Sequence, residues 1–340
     1  MTDLLAHVEG IWQAVVPQLP GFTVEVLPQI DSTNTELMRR ARAGQTEPTL
    51  LVAERQTAGR GRMGRVWDSS HTEALEALEV SAVSASLTFS LGLPLAPADW
   101  SGLSLAVGLA VAEGLDPDGS AGVRLKWPND LWLADDRKLA GILVETASLP
   151  LSTGAEGAAG ADLAVARYVV IGIGINIAPQ RGAPAPVAGA TPRAGLQDVL
   201  PAVDAPAALA RVLAPLVAAV QQFEAQGFAP FQARFAARDV LRGRAVRLSD
   251  GTEGQALGVA LLQQIDVSVK GAPGVGQAAM FTIQRPGAHP RQQRAAQRHA
   301  AVAAVHGVEV AEAVVVPHAA VGCEPGIAHH QQQLVGPGGQ

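Results

Sequence analysis

The apolar positions of this chain switch repeatedly between a period near 3.6 and a period of 2, the mark of helices interleaved with strands. Leu4, Leu5, Val8, Ile11, Trp12 and Val15 share one helical face, and Pro17-Gln18-Leu19-Pro20-Gly21 ends that helix. Residues 22–27 alternate as a strand. Helical spacing returns over 37–43, preceded by Thr33-x-x-Glu36 in the form of a capping box and stopped by Gly44. Strands are predicted over 49–53 and 85–91, then a core helix over 101–115 with Leu103, Val107, Ala110 and Val111 on one face. Three strands follow at 123–127, 131–133 and 138–145, with turns at Asn129-Asp130 and Asp135-Asp136. Residues 168–177 form a near-continuous apolar run and read as a central strand. Leu209, Val212, Leu213, Leu216 and Val220 mark a helix over 207–223, in which Pro215 predicts a kink or a break. Residues 228–238 continue in helical style, and 244–254 read as a hairpin around Asp250-Gly251 that opens a small β region.

Between these elements the pattern lapses in four places. Glu73, Glu76 and Glu79 alternate with Ala and Leu in a helix-prone piece at 71–84 that reads as an insertion between a loop and its strand. Residues 150–162 are Gly/Ala-rich, and 180–205 are a Pro/Gly/Ala-rich connector. After residue 260 strand alternation fades and Gln, Ala, Gly and His dominate, a composition of disorder rather than of metal ligation.

Composition adds limits. Hydrophobic residues make up 48% of 340, ordinary for a globular enzyme, and the net charge of −6 argues against a nucleic-acid protein working through a general basic field. Any anion binding must be local. The single cysteine, Cys323, has no partner for a disulfide or a Cys-based metal site, which points to the reducing cytoplasm. The first residues lack the basic and apolar regions of a signal peptide, and no uncharged apolar run is long enough for a membrane span.

Three stretches carry candidate chemistry. In Gly59-Arg60-Gly61-Arg62-Met63-Gly64-Arg65, closed by Trp67, glycines let the backbone approach a ligand while guanidinium groups project between them. It reads either as a solvated turn or as a loop that holds anions. Lys126-Trp127-Pro128-Asn129-Asp130 is a polar knot among apolar strands, or a hairpin with a surface ion pair. Gly172 and Gly174 share one strand face, which is thereby cleared for a ligand or for close packing against a helix. Their Gly-x-Gly lacks the third glycine and the acidic residue of a dinucleotide fold, so that reading is rejected.

Taken in order, Asp31-Ser32-Thr33-Asn34, Glu54 through Gly64, Lys126 through Asp130 with Lys138-Leu139-Ala140-Gly141-Ile142-Leu143-Val144-Glu145, and Gly172-Ile173-Gly174-Ile175-Asn176 resemble the biotin–protein ligase family. The resemblance implies an α+β fold, a mixed β-sheet with helices packed on it of the class II synthetase-like biotin/lipoate ligase type, with a small C-terminal SH3-like β domain. The implied division is a catalytic domain over 1–235, the start of the SH3-like domain over 236–260, and a divergent, largely disordered tail over 261–340. It implies ATP and biotin as substrates with Mg²⁺, formation of biotinyl-5'-AMP, and transfer of biotin to a lysine of a biotin carboxyl carrier domain.

By the same resemblance Ser32, Thr33, Asn34, Gln56, Gly59, Arg60, Trp67, Gly141, Gly172 and Gly174 contact biotin, and Arg62, Arg65, Asn129, Lys138 and Asn176 lie on the nucleotide side. Lys138, Arg60 and Arg62 are the implied catalytic cations. Asp130 is the candidate for orienting or deprotonating the incoming lysine, and the Mg²⁺ ligands stay unassigned. Thirty residues precede Asp31, too few for the winged helix-turn-helix of the family's repressor members, so no DNA partner is expected. A homodimer paired along a sheet edge is compatible with the family. Two other readings fit the same pattern: lipoate or octanoate transfer on the same fold, and a biotin- or adenylate-binding protein with little turnover.

Overall fold

The structure, a computed structural model, describes residues 2–69, 85–149, 166–179, 191–247, 253–261, 279–284 and 314–315. The insert at 71–84, the loop at 150–162, the first part of the 180–205 connector, the Asp250-Gly251 turn and most of the tail lie outside the described residues.

Seven strands form one mixed sheet: β1 (Thr23–Ile30), β2 (Thr49–Gln56), β3 (Ser86–Leu95), β4 (Val123–Lys126), β5 (Asp130–Leu133), β6 (Lys138–Ser148) and β7 (Arg167–Asn176). Their spatial order is β1-β2-β3-β7-β6-β5-β4. Only β1 and β2 run parallel; the other neighbours are antiparallel. A parallel pair needs a crossover, and α2 (Thr33–Arg42) supplies it, which brings the start of α2 to the carboxyl end of β1.

The two faces of the sheet are covered unequally. Helices α1 (Thr2–Val15), α3 (Leu103–Leu115) and α4 (Ala205–Gln226) close one face over a large core that includes Leu87, Phe89, Val107, Val111, Ile175 and Leu213. On the other face α2 packs Leu37, Met38 and Ala41 against Leu51, Tyr168 and Val170 in a second, smaller cluster. Beside that small cluster the second face stays open over parts of β3, β6 and β7.

Two local expectations are corrected. The N-cap of α2 is Ser32, whose hydroxyl accepts from the Thr35 amide at 3.4 Å, and not Thr33 one residue later. Glu36 is drawn away from a capping box because Arg40 and Arg39 bind its carboxylate at 2.9 and 2.7 Å. The second correction concerns the break that Pro215 allowed, which does not occur: α4 runs through Pro215 as one 22-residue helix. Pro215 cannot donate to the Arg211 carbonyl, but Gly114 of α3 presses so close that an added Cβ would lie 2.8 Å from that oxygen. Packing against α3 and α1 carries the helix past its missing bond. By length and composition α4 is apolar enough to cross a membrane, yet its stripe of Leu209, Val212, Leu216 and Val220 is core.

The chain then leaves the main sheet through α5 (Gln232–Arg238). Arg238 is buried, donates to the Val123 carbonyl at 3.1 Å and pairs with Asp116 at 3.4 Å. The Val240 amide donates to the Leu125 carbonyl at 3.0 Å, and Arg244 pairs with Asp136 at 2.6 Å. Four antiparallel strands follow, β8 (Ala245–Arg247), β9 (Glu253–Leu261), β10 (Ala279–Gln284) and β11 (Val314–Val315), in the order β10-β9-β8-β11. The last two lie within the stretch read as a disordered tail; they join the sheet by pairing with β9 and β8.

Candidate active site

The open part of the second face has a floor made by register. Ser90 of β3 pairs with Gly172 of β7, which pairs on its other side with Leu143 of β6. Two residues along, Thr88, Gly174 and Gly141 form the next row, and Ser86 and Asn176 the next. Successive rows on one face are two residues apart, so residues that are small or polar, Leu143 excepted, line up across these strands. Both glycines of β7 are filled over by neighbours. A Cβ on Gly172 would run into the Asn34 side chain, and one on Gly174 into the Trp67 indole. The ligand reading and the helix-packing reading of this face meet here, since Asn34 belongs to α2.

Above the floor sits the start of α2. Its capping position turns Thr33 and Asn34 inward, and both are buried. Gln56 Oε1 accepts from the Thr33 amide at 2.8 Å and from its hydroxyl at 3.2 Å. Ser90 Oγ lies 2.7 Å from Thr33 Oγ1 and 2.6 Å from Asn34 Oδ1. Asn34 Nδ2 donates to Glu145 at 3.0 Å and to the Leu143 carbonyl at 3.2 Å. These groups, neutral apart from the Glu145 carboxylate at the edge, form one connected network at one end of the cavity. Just outside it, the Arg39 guanidinium holds the Asp31 carboxyl below its ordinary range, and Arg40 does the same for Glu36.

The arginine loop is a small hairpin. Arg60 and Val66 form an antiparallel bridge, the Gly61 amide donates to the Arg65 carbonyl at 2.7 Å, and the Trp67 amide to the Gly59 carbonyl at 2.9 Å. Its tip turns through left-handed backbone at Met63 (φ 55) and Gly64 (φ 71). A Cβ on Gly59 would strike the Trp67 carbonyl, so that glycine is needed for the crossing of the two arms. Two arginines tie the hairpin down: Arg60 bonds Glu145 at 2.9 Å and Thr35 at 3.2 Å, and Arg62 bonds Asn129 Oδ1 at 3.0 Å. Asn129 can serve because its own amide is fixed on the Ile142 carbonyl at 2.9 Å.

Lys138 opens β6, and its Nζ lies 2.8 Å from Asp130 Oδ1. The surface ion pair considered for Lys126 and Asp130 is not formed as such: Asp130 engages Lys138, while the Lys126 ammonium is buried over the Trp132 ring, 5.0 Å from its centre.

Of the residues singled out in the sequence, Ser32, Thr33, Asn34, Gln56, Arg60, Arg62, Arg65, Trp67, Asn129, Asp130, Lys138, Gly141, Gly172 and Gly174 surround a single cavity of about 130 Å³. Two stand back from it. Gly59 shapes the hairpin, and Asn176 is buried with its amide on the Lys138 carbonyl at 3.3 Å. Four cations, Arg60, Arg62, Arg65 and Lys138, line the cavity against two carboxylates, Asp130 in its wall and Glu145 behind Arg60, so the balance of charge favours an anion. Sequence reasoning missed Ser90 and Glu145, which hold Asn34 from two sides. The signal for Ser90 was present: Ser86, Thr88 and Ser90 give an otherwise apolar strand one polar face, and all three are buried.

Residues 26–162 match the model of the biotin/lipoate A/B protein ligase family. A biotin–[acetyl-CoA-carboxylase] ligase of Paracoccus denitrificans is 33% identical over 236 residues, which is 67% of this chain and 85% of that protein. The bifunctional ligase/repressor BirA of Escherichia coli (strain K12) is 38% identical over 241 residues, 70% of this chain; the match spans 65% of BirA, just under two thirds of its length. Among solved structures, biotin protein ligase from Aquifex aeolicus in complex with biotin and ATP superposes with a TM-score of 0.52 at 25% identity, covering 77% of this chain and 99% of the other. The chain belongs to the biotin protein ligase family.

Proposed function

We propose that this protein is an ATP-dependent ligase that joins biotin and ATP into biotinyl-5'-AMP and then transfers the biotinyl group to a lysine of a biotin carboxyl carrier domain. The observation that carries the reading is the convergence on one cavity of a hydrogen-bonding end, a glycine floor and four cations. Biotin presents the same sequence of chemistries: a polar ureido ring, an apolar body and chain, and a carboxylate. The Paracoccus denitrificans relative, named a biotin–[acetyl-CoA-carboxylase] ligase, and the neighbour solved with biotin and ATP favour biotin over lipoate.

In the first step a biotin carboxylate oxygen bonds to the α-phosphorus of ATP and pyrophosphate leaves. Two anions must be brought together, and Lys138, Arg60 and Arg62 offset their repulsion where charge accumulates. The described carboxylates at the site, Asp130 and Glu145, are both ion-paired, and no cluster of three metal-binding side chains occurs among the described residues. That donor set fits Mg²⁺ carried chiefly by the phosphates, where it supplies further charge neutralisation. In the second step the neutral amine of the carrier lysine attacks the acyl carbon, the acyl–phosphate bond breaks, and AMP leaves. Asp130 is the group positioned to orient that amine or take its proton, once Lys138 turns to the adenylate. The arginine hairpin over the cavity shields the anhydride from water.

The test combines the protein with ATP, Mg²⁺, labelled biotin or lipoate, and a carrier domain. Label is expected on the carrier lysine with biotin only; tight binding of biotin without transfer would leave a binding protein instead. Lys138→Ala is expected to abolish pyrophosphate release with the circular dichroism spectrum unchanged, and unaltered release would remove Lys138 from its role.

A further inference from the structure

Lys138 is held by more than its own strand. Its amide donates to the Pro192 carbonyl at 2.8 Å, and its carbonyl accepts from the Ala194 amide at 2.8 Å and from Asn176 Nδ2 at 3.3 Å. Residues 192–194 therefore lie beside Lys138 as one rung of parallel sheet, Lys138 against Arg193. A single rung is weak unless the strap that supplies it is anchored. The anchor is a buried ion pair immediately before the lysine: Arg137 donates to Asp198 Oδ2 at 2.6 Å, where the Asp198 side chain is fully shielded from water. The same carboxylate oxygen accepts from the Gly195 amide at 3.1 Å. Gly195 is wedged against the end of the main sheet, where a Cβ would run into the Ala178 carbonyl. At its outer side Arg193 comes within 3.8 Å of Asp68, the residue after Trp67, so the strap also meets the exit of the arginine hairpin.

We propose that the Arg137–Asp198 pair is a positioning device for Lys138, setting where its ammonium stands for adenylate formation, with Asp198 as the positioning residue. The inference rests on the ligase reading above, in which Lys138 meets the biotin carboxylate and the α-phosphate. A charge displaced by about 1 Å from a developing negative centre loses on the order of 10²-fold in rate while leaving ground-state binding almost untouched. The role is therefore visible as a split between turnover and binding. A strap that only supported the fold would lower turnover in proportion to the folded fraction and leave the folded molecules with parent kcat and KM, so the split is read per folded molecule.

Asp198→Asn keeps the shape and removes the charge. In pyrophosphate release with ATP and biotin its kcat is expected to fall about 10²-fold, with the KM for biotin within about twofold of the parent. Deuterium exchange at the Lys138 amide should be faster in the variant. Parent-like kcat, or a loss matched by an equal loss of folded protein, overturns the proposal. Arg137→Gln, at a partly exposed position, carries the same test if Asp198→Asn does not fold; failure of both to fold marks the pair as purely structural and also overturns it. A parent protein that makes no biotinyl-AMP would instead overturn the ligase reading, so the two failures are distinguishable.

Discussion

Gly172 and Gly174 lie on a strand whose residues are all buried except Arg167, whereas Val66, across the cavity in the arginine hairpin, leaves 81% of its surface to water. The floor is determined several times over, by strand pairing on both sides of β7 and by apolar packing beneath it. The hairpin rests on a few backbone bonds and on side-chain contacts such as those of Arg60 and Arg62. A site that must both measure a substrate and let it pass needs both kinds of construction. The measuring surface belongs to the last part of the fold to open, the hairpin to the first.

If that division holds, variants should separate by region. The largest effect is expected from Gly174→Val. The added carbons collide with the Trp67 indole and reduce biotin affinity by about 10²-fold, on the order of 3 kcal/mol of overpacking. Isothermal titration reads this directly, and unchanged affinity would mean that Trp67 does not need its present place. Next comes Arg62→Ala in the hairpin: biotin binding and thermal stability stay within about 1 kcal/mol of the parent. Adenylate formation slows through the lost charge, while the fraction of biotinyl-AMP released free in the absence of carrier nevertheless rises by about tenfold through lost closure. A large drop in melting temperature would show the hairpin to be part of the scaffold. Glu145→Gln should give a smaller, mixed result, because Glu145 joins the two regions by holding Arg60 and Asn34 at once. A loss of about threefold to tenfold in kcat/KM is expected; no loss at all would show that the hairpin finds its place without this contact.

The smallest effect is one of pH. The folded pKa values of Asp31 and Glu36 are lowered by Arg39 and Arg40, so their stabilisation is complete above the ordinary values of 3.8 and 4.5. It fades as pH falls through the depressed folded values. Melting curves from pH 6 down to about 2.5 should show a shallower acid decline in Glu36→Gln than in the parent; parallel declines would detach this network from acid stability.

Much of the floor was legible because period-two geometry needs only the strand itself to place Gly172 and Gly174 on one face. The arginine loop was legible as a candidate anion site only through its place in the ordered set of motifs; alone it read equally as a solvated turn, and its hairpin form came from pairing between Arg60 and Val66. What could not be seen were partners brought together by sheet order. Glu145 and Ser90 are ordinary strand residues until β6 and β3 are known to flank β7, and Asp198 sits 61 residues from Arg137 in sequence. The cap of α2 was misplaced by one residue because Ser32 and Thr33 both suit that position; their environment decides, since Thr33 is claimed by Gln56. The break that Pro215 allowed is absent for a similar reason, local propensity yielding to packing against Gly114.

No amino acid is smaller than glycine. Inherited change at positions 172 and 174 can only add atoms, so mutation can shrink this cavity from below but never deepen it. Variation at these two positions is therefore one-sided: room for a bulkier substrate has to come from other lining residues, Trp67 and the hairpin among them. At positions 172 and 174 the floor is a ruler that cannot be recut.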